Sequence, residues 1–539
     1  MLLCPAALFA GPPAIDTFYT PLPEDQGLTM LRSIFTQSGC SSGSPEPTNP
    51  VTTYISITVL RDGTLIYYDH VEDGFESVIH MPTNGTTEVW GNGIFADGAP
   101  PGCLTDACDV LSAGSTIILR NDIDTTNMGL IDYDGGDKIA ATDIISMTRA
   151  EWAAGSATLL AGALEMYPVD KWGTFYEIPV GEDQFGNSNN PYEYTGLAVM
   201  AQAAGTSVDI DFDGDGTPEV SIVLDEGESH LVDGGLQVGA TVSSSRPVQV
   251  SLLTGDRCSR YESRFFTLFP KSQWSTAYLN PVGTPPADDP TIVTLYNPDS
   301  SNLVVTVDVT GGGSSTVNVP PGGTGTYTMP NLSGAKFSGP WPFYAVAAVD
   351  AENGGGQTHD WGFALVPESG LSQQTLIGLG LGEDPDTSTG ANVSPVWITT
   401  ELICGVPPVD GKIRVYVDYD NDGNDAGNTN NVDPRFNLQY DVFFDLDPLE
   451  ALRIYDPDGD QTGMYVWISD PDDADQECAV LATAWGQDPN TAPGGSPAID
   501  VGTAVPNIAA LSAHKTSVVS LDANGDGLPN LGDQVTYSI

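Results

Sequence analysis

Short runs in which β-branched and aromatic residues alternate with polar ones recur along this chain, each cut off by Gly, Pro, Asp or Asn. From Tyr194 onward TGLAVMA, TSVDIDF, EVSIVL, HLVDGG and PVQVSLL follow one another closely. A period of two puts successive side chains on opposite faces of a pleated strand, which a helix cannot use. Recurrence at short spacing is the signature of antiparallel sandwiches. TIVTLYN, NLVVTVDV and STVNV continue the pattern, the last two joined by a turn at Gly311-Gly312-Gly313, and PVWITT and KIRVYVDYD open a further region. TYISITVL and TLIYYD flank Asp62-Gly63 and read as a hairpin. Only Thr142 to Pro168 is Ala-rich enough for a helix to compete, and Gly155 and Gly162 tip it towards strand.

A chain of 539 residues predicts three to five domains. The reading is all-β, with several β-sandwich or immunoglobulin-like domains in tandem and calcium-binding loops. The expected divisions are a leader and arm at 1–50 and a β domain at 51–190. A β-sandwich at 191–285, another at 286–395 and an Asp-rich β domain at 396–505 follow, and 506–539 holds a linker and the start of an Ig-like repeat. Residues 12 to 50 read as turn-rich, ending in a Ser/Gly/Pro linker, and no tandem repeat of constant length is visible.

Charge removes whole classes of partner. Seventeen Lys and Arg stand against 72 Asp and Glu, a formal net charge of −55. Nucleic acid requires clustered cations, and so does an electrostatic hold on anionic membranes. With 40% hydrophobic and 9% aromatic residues the chain can still build cores. After the first residues no stretch has the length and apolarity of a membrane span. The opening MLLCPAALFAG resembles a signal-peptide core without its basic beginning, and reads equally as a buried first strand. Of seven cysteines, Cys103 and Cys108 in GCLTDACD are expected to pair locally; a metal at that pair lacks a second Cys or His pair nearby. Disulfide use implies a secreted, extracellular or cell-surface protein.

The strongest motifs are acidic. In DFDGDGTPE, Asp211, Asp213, Asp215, Thr217 and Glu219 stand at the first, third, fifth, seventh and ninth positions of a calcium loop, with Gly216 at the sixth. Strands flank it, so a calcium-clamped hairpin is expected; a plain Asp/Gly turn is the rival. DANGDGLPNLGD repeats the spacing with Asp522, Asn524, Asp526, Leu528, Asn530 and Asp533. Two weaker copies are Asp418, Asp420 and Asp422 in DYDNDG, and Asp456, Asp458 and Asp460 in DPDGD, where Gln461 replaces the glycine. Calcium is thus the one expected cofactor, in a structural role.

Signals for catalysis are poor. Asp69, His70, Glu72 and Asp73 crowd YYDHVEDGFE, which reads as an acid/base or metal corner or, more simply, as a hairpin end where a neighbouring carboxylate holds His70. No HExxH, GxSxG, P-loop or dinucleotide motif occurs.

PLPED, IYYDHVEDGFE, VWGNG, YDGGDKIA, WGTFYEIPVGED, HDWGFALVP, SPVWIT, YVDYDNDG, YDPDGDQTGM, ATAWGQDP and DVGTAV occur in that order. Together they resemble the N-terminal region of large secreted bacterial surface proteins that carry immunoglobulin-like conserved repeats downstream. Val71 and Phe75 depart from that family's hairpin. The stretch from Tyr194 to Val282 is similar to the N-terminal domain named after IgG Fc-binding proteins, and KTSVVSLDANGDGLPNLGDQVTYSI resembles the opening of a conserved repeat. The resemblance implies location and style; immunoglobulin binding rests on the name alone.

The expectation is a non-enzymatic, calcium-stabilised extracellular structural or adhesive protein, possessing no nucleic-acid partner and no membrane span. The alternatives are a secreted calcium-dependent hydrolase and a module binding a surface glycan or protein. After Pro506 only two strands, SVVSL and QVTYSI, are legible. A lone hairpin is marginal in water, so addition to a neighbour's sheet edge, giving a homo-oligomer or filament, is expected. Deleting residues from Ser517 onward is then expected to abolish assembly, read by electron microscopy, and to leave the other domains folded; normal assembly of the deleted chain rules this connector out.

Overall fold

The computed structural model describes residues 16–36, 46–83, 86–93, 99–103, 108–154, 160–183, 191–257, 262–287, 289–349, 359–383, 391–403, 411–423, 431–469, 478–492 and 501–508, and the backbone of 516–521 and 534–538. The expected leader and the calcium loop at 522–533 lie outside the described residues.

Strand pairing resolves the chain into four modules built alike. The first holds β1 (Asp16–Tyr19), helix α1 (Glu24–Thr36), β2 (Thr48–Val59), β3 (Ile66–Asp69), β4 (Glu88–Trp90), β5 (Thr116–Ile123), β6 (Lys138–Ala141), β7 (Ile145–Ala154) and β8 (Ala161–Glu165). The second holds β9 (Gly173–Glu177), β10 (Tyr194–Ala201), β11 (Thr206–Asp211), β12 (Val220–Leu224), β13 (Ser229–Val232), β14 (Thr241–Gly255) and β15 (Ser263–Thr267). The third holds β16 (Ser275–Asn280), β17 (Ile292–Tyr296), β18 (Leu303–Val309), β19 (Gly313–Val319), β20 (Thr324–Thr328), β21 (Ala335–Ala348) and β22 (Gly362–Ala364). The fourth holds β23 (Gln374–Leu376), β24 (Val396–Leu402), β25 (Ile413–Asp418), β26 (Val442–Leu446), β27 (Leu452–Ile454), β28 (Tyr465–Ile468), β29 (Ala479–Gly486) and β30 (Gly502–Val505). A two-stranded sheet of β31 (Thr516–Leu521) and β32 (Gln534–Ser538) follows.

With the strands of a module lettered a to g in chain order, one sheet is a-f-c-d and the other is g-f-b-e, all antiparallel. Strand f belongs to both sheets. It is continuous in β14 and β21 and broken in two as β6/β7 and β28/β29. Pairing on both sides of f satisfies its backbone polar groups, and the alternation in its sequence sends apolar side chains between the sheets.

The pairing redraws the expected domain boundaries. Strands β1, β9, β16 and β23 pair with f strands that lie beyond the divisions at 50, 190, 285 and 395. The Ser/Gly/Pro stretch read as a linker before residue 50 falls between β1 and β2 in sequence, inside the first module, with its residues 37–45 outside the described residues. The expected hairpin at Asp62-Gly63 is also absent: β2 pairs with β5 and β7, while β3 pairs with β4 and β6 in the other sheet. That turn carries the chain from one sheet to the other, which period-two patterning cannot distinguish from a hairpin. The hairpins at β11–β12 and β18–β19, the strands within Thr142–Pro168 and the Cys103–Cys108 disulfide are all present.

Helix α1 stands where residues 12 to 50 read as turns. Glu24 and Asp25 occupy its first turn, favourable against the helix dipole. Its Met30, Leu31 and Ile34 pack on Leu160 and Leu164 and on the second module's Tyr194 and Leu253.

The repeat escaped the sequence because few residues mark it. After strand g the chain reaches Pro168, Pro270 or Pro367 and then a single 3₁₀ turn. Trp172 donates to the Tyr167 carbonyl, as Trp274 does to Phe269, and the Tyr176 and Tyr278 hydroxyls donate to the f-strand carbonyls of Val248 and Phe343.

The g strands bring the modules together. β8 touches β15, β15 touches β22, β22 touches β30, and β30 returns to β8, closing a ring. Between the first two modules, residues 102 positions apart meet: Ser263 Oγ bonds both the amide and the carbonyl of Ala161, and Thr267 Oγ1 donates to the Glu165 carbonyl. One core runs through modules two and three, while Tyr54, Trp152, Ala161 and Ala163 of module one join the core of module four. Burying one such aromatic side chain stabilises by about 1.5–3 kcal/mol.

Glycine makes the approach possible. A Cβ on Gly162 would overlap the Phe265 ring, and one on Gly502 would overlap Trp361. Gly162→Val is therefore expected to cost about 1–3 kcal/mol, read as a lower midpoint in urea; an unchanged midpoint contradicts close contact of β8 and β15.

Candidate metal centres

The c–d and e–f loops emerge side by side at one end of a module. In the second module Gln237 of the e–f loop donates to the Phe212 carbonyl of the c–d loop at 2.9 Å. Acids gather at this place in modules one, two and four. The third module instead has Gly311 and Gly312 with φ of +81° each, a tight turn that carries no carboxylate.

In the second module the β11–β12 loop folds around Asp211, which is almost fully buried. Asp211 Oδ1 accepts from the amide of Gly214 at 2.7 Å and Oδ2 from that of Gly216 at 2.6 Å. Asp213, Asp215 and Glu219 take the amides of Asp215, Thr217 and Phe212. Oxygens of Asp211, Asp213 and Glu219 lie within 4.8 Å of one another. Asp215 stands outside that trio, its Oδ1 accepting from the amide of Thr217 at 2.8 Å.

In the fourth module the two weaker motifs meet. DYDNDG is the c–d loop and DPDGD the e–f loop, and oxygens of Asp420, Asp456 and Asp458 come within 4.8 Å. Asp456 is 5% exposed; its Oδ1 accepts from the Asp458 amide at 3.0 Å, and its Oδ2 is buried without a partner. Asp418 is 4% exposed, with Oδ2 facing the Gly423 amide and Oδ1 unpartnered. Burial, with the Asp441 and Asp422 charges adding, pushes Asp418 up to about 7. Asp418, Asp422 and Asp460 stand outside the converging trio. Gln461 is no defect in the motif: it is fully buried, accepts from the Asp456 amide and donates to the Ser394 carbonyl at 2.7 Å, while Gly459 takes the left-handed position at φ +93°. Spacing within either motif alone gave no sign of this juxtaposition.

In the first module His70, Glu72 and Asp137 also bring ligand-type atoms within 4.8 Å. Here Asp137 and His70 are already engaged, while both Glu72 carboxylate oxygens are buried without a hydrogen-bond partner. Asp137 accepts from the Tyr68 hydroxyl at 2.8 Å and from the amides of Val71 and Asp134. His70 Nδ1 lies 3.0 Å from the Asp132 carbonyl and 3.5 Å from Asp137, and Nε2 lies 3.8 Å from Glu88. Rings of Tyr68 and Tyr133 flank it, and the residue is 3% exposed. Asp69 is spent on the Glu76 amide and the Thr87 hydroxyl. This is a held histidine at a loop base, and the e–f residues that hold it, Asp132 through its carbonyl and Asp137 through its carboxylate, were not singled out from sequence. Phe75, one of the departures, packs edge-on to Tyr19 at 5.6 Å. Deeper in the module Arg149 pairs with Glu24 at 2.7 Å and Glu151 at 2.9 Å, all three fully buried, fastening α1 to the sheet.

Residues 162–378 match the family described as IgGFc binding protein. The match begins on β8 and ends just past β23, so it takes in modules two and three and less than half of the chain. No curated protein matches. Among solved structures, a biofilm associated protein BSP domain is 9% identical over 95% of this chain and 100% of that one, with a TM-score of 0.11. A tetra-tandem repeat from the extending region of a large adhesion protein is 11% identical over 86% and 93%, with a TM-score of 0.10. At those scores neither bears on fold or function. No helix among the described residues is long and apolar enough to cross a membrane.

The buried acids of module one set a pH dependence. Burial pushes Glu151 up to about 8 against the pull of Arg149. Burial alone would lower His70, but hydrogen bonds to Asp137 and Glu88 carry it up to about 10. The folded chain thus keeps protons that the unfolded chain has released above its ordinary values of 4.5 and 6.5. Stability therefore falls as pH rises from those values through 8 and 10, by up to about 1.4 kcal/mol per pH unit for each group. In chelator, the melting temperature is expected to fall from about pH 6 to about pH 9, and Glu151→Gln to flatten the lower part of that slope; a melting temperature that rises across this range contradicts the assignment.

Proposed function

We propose that this chain is a non-enzymatic, calcium-stabilised structural or adhesive protein of the extracellular space or cell surface. The observation that carries the reading is the convergence of Asp211, Asp213 and Glu219 on the tip of a hairpin. Hard carboxylate oxygens in a turn with glycine at the bend suit calcium. Asp211, Asp213 and Glu219 would hold the ion, which would neutralise their repulsion and pin β11 to β12. The name of the matching family, which speaks of IgG Fc binding, supports a protein ligand on a surface. The burial of His70, and the use of Asp69 in holding its loop, speak against the hydrolase alternative. Self-assembly through strand addition belongs to the same reading, since a two-stranded sheet such as β31–β32 leaves both edges unpaired.

Extracellular calcium modules bind at roughly 10⁻⁴–10⁻³ M. With calcium about tenfold above Kd, one site adds about 1.4 kcal/mol. Chelation is accordingly expected to lower the melting temperature by about 2–4 °C per site, and Asp213→Ala to remove the share due to this loop. A melt that chelator leaves unchanged at moderate salt defeats the calcium reading.

A further inference from the structure

We propose that Asp420, Asp456 and Asp458 share one divalent cation that bridges two loops of the fourth module and clasps the ring closed against the first. This rests on the calcium reading but places an ion where neither motif would hold one by itself.

Two independent observations point to a ligand. The carboxylates arrive from separate loops, c–d and e–f, with oxygens within 4.8 Å. Asp456 is nine-tenths buried, yet its Oδ2 has no hydrogen-bond partner; Asp418 Oδ1, at the end of β25, has none either. An orphaned buried carboxylate oxygen costs several kcal/mol unless a cation or donor meets it. The charges acting on Asp420 are Asp458, Asp422, Asp441 and Asp460, every one a carboxylate. A calcium shell at about 2.3–2.6 Å per oxygen spans such a set, whereas the tighter magnesium shell at about 2.0–2.1 Å requires the loops to close further.

Position gives the ion its role. At three of the four seams the c–d loop of one module meets the d–e loop of the next. Between modules one and two, a Cβ on Gly227 would lie 2.6 Å from the Phe75 ring, and Lys138 pairs with Glu226 at 2.7 Å. Between three and four, Thr310 donates to the Leu449 carbonyl and Ser333 bridges Glu450. Between four and one, the Asp420 carbonyl lies so close to Gly114 that a Cβ there would overlap it. The first of these seams is held by the chain's own lysine; at the last, the converging groups are acids, and the cation comes from solution.

The test uses the full chain stripped with chelator, calcium titration calorimetry, and hydrogen exchange at residues 112–116 and 457–463. Calcium is expected to slow exchange at both segments by about tenfold or more. Asp458→Asn, which keeps an oxygen for the Asp460 amide, is expected to lose one bound ion and that protection. Asp456→Asn should do the same, and Asp213→Asn should lose a different ion and keep the protection. If Asp458→Asn binds as many ions as the parent, or calcium protects 112–116 equally in it, the clasp is wrong. If Asp213→Asn binds as the parent does while Asp458→Asn loses its ion, the clasp stands and the hairpin site falls.

Discussion

Four sandwiches share one axis because three of their four g strands are bare where a neighbour's ring arrives. Gly162 beneath Phe265, Gly362 beneath Phe266 and Gly502 beneath Trp361 are the bare positions. Everything outward follows from it. Strand g is committed to the axis on one side and to strand f on the other, so the sheet edges left in each module are a, d and e. At three of the four seams the strand a that follows g carries the chain into the next module, so those seams are crossed covalently as well as by packing. The fourth-to-first seam is closed noncovalently, by the contact of β30 with β8, by hydrogen bonds from Ser56 and Thr58 to the Gly378 carbonyl and by the core that Tyr54 and Trp152 share with module four.

Electrostatics then decides where so acidic a chain can place its carboxylates. Several of those inside are tied to a partner: Glu24 and Glu151 to Arg149, Asp360 to Arg264, Asp137 to Tyr68 and two amides. Breaking such a buried pair from one side leaves an uncompensated charge, and is far costlier than losing a surface pair. The remainder crowd the c–d and e–f loops, where amides at the loop bends take part of the charge and bound cations would take the rest. A module with several repelling acids at one tip folds well only if something neutral or positive occupies the middle.

Strand identity was largely legible because alternation is a local property. The hairpins at Asp211–Glu219 and at Gly311–Gly313 were readable for the same reason, as the turn residues and both flanking strands sit in one short stretch. The Asp62-Gly63 turn has the same local marks, yet it switches sheets, since the choice between pairing β3 with β2 or with β6 is made by residues some 70 positions away. Module boundaries misled in one consistent direction: strand a looks like the tail of the preceding unit, being joined to it by a proline and a single 3₁₀ turn, and pairs instead with an f strand far downstream. The helix was hidden by the polar residues that cover its outer face. Asp420 and Asp456 are 36 positions apart, and no spacing rule joins them.

The third module shows what the acids are for by doing without them. Its β18–β19 connection is two glycines in left-handed geometry, the shortest way to reverse a strand, and its neighbouring Thr310 is fixed by the Leu449 carbonyl of the next module. Such a turn has no length to order. The c–d loops of modules two and four are longer, fold around Asp211 and Asp418 through amide hydrogen bonds, and end in exposed carboxylates. Length costs conformational entropy, which a tight glycine turn avoids and a cation held by several carboxylates offsets. On this argument, metal binding is tied to loop length and not to the fold, and the four modules keep one topology while differing in what fastens their tips.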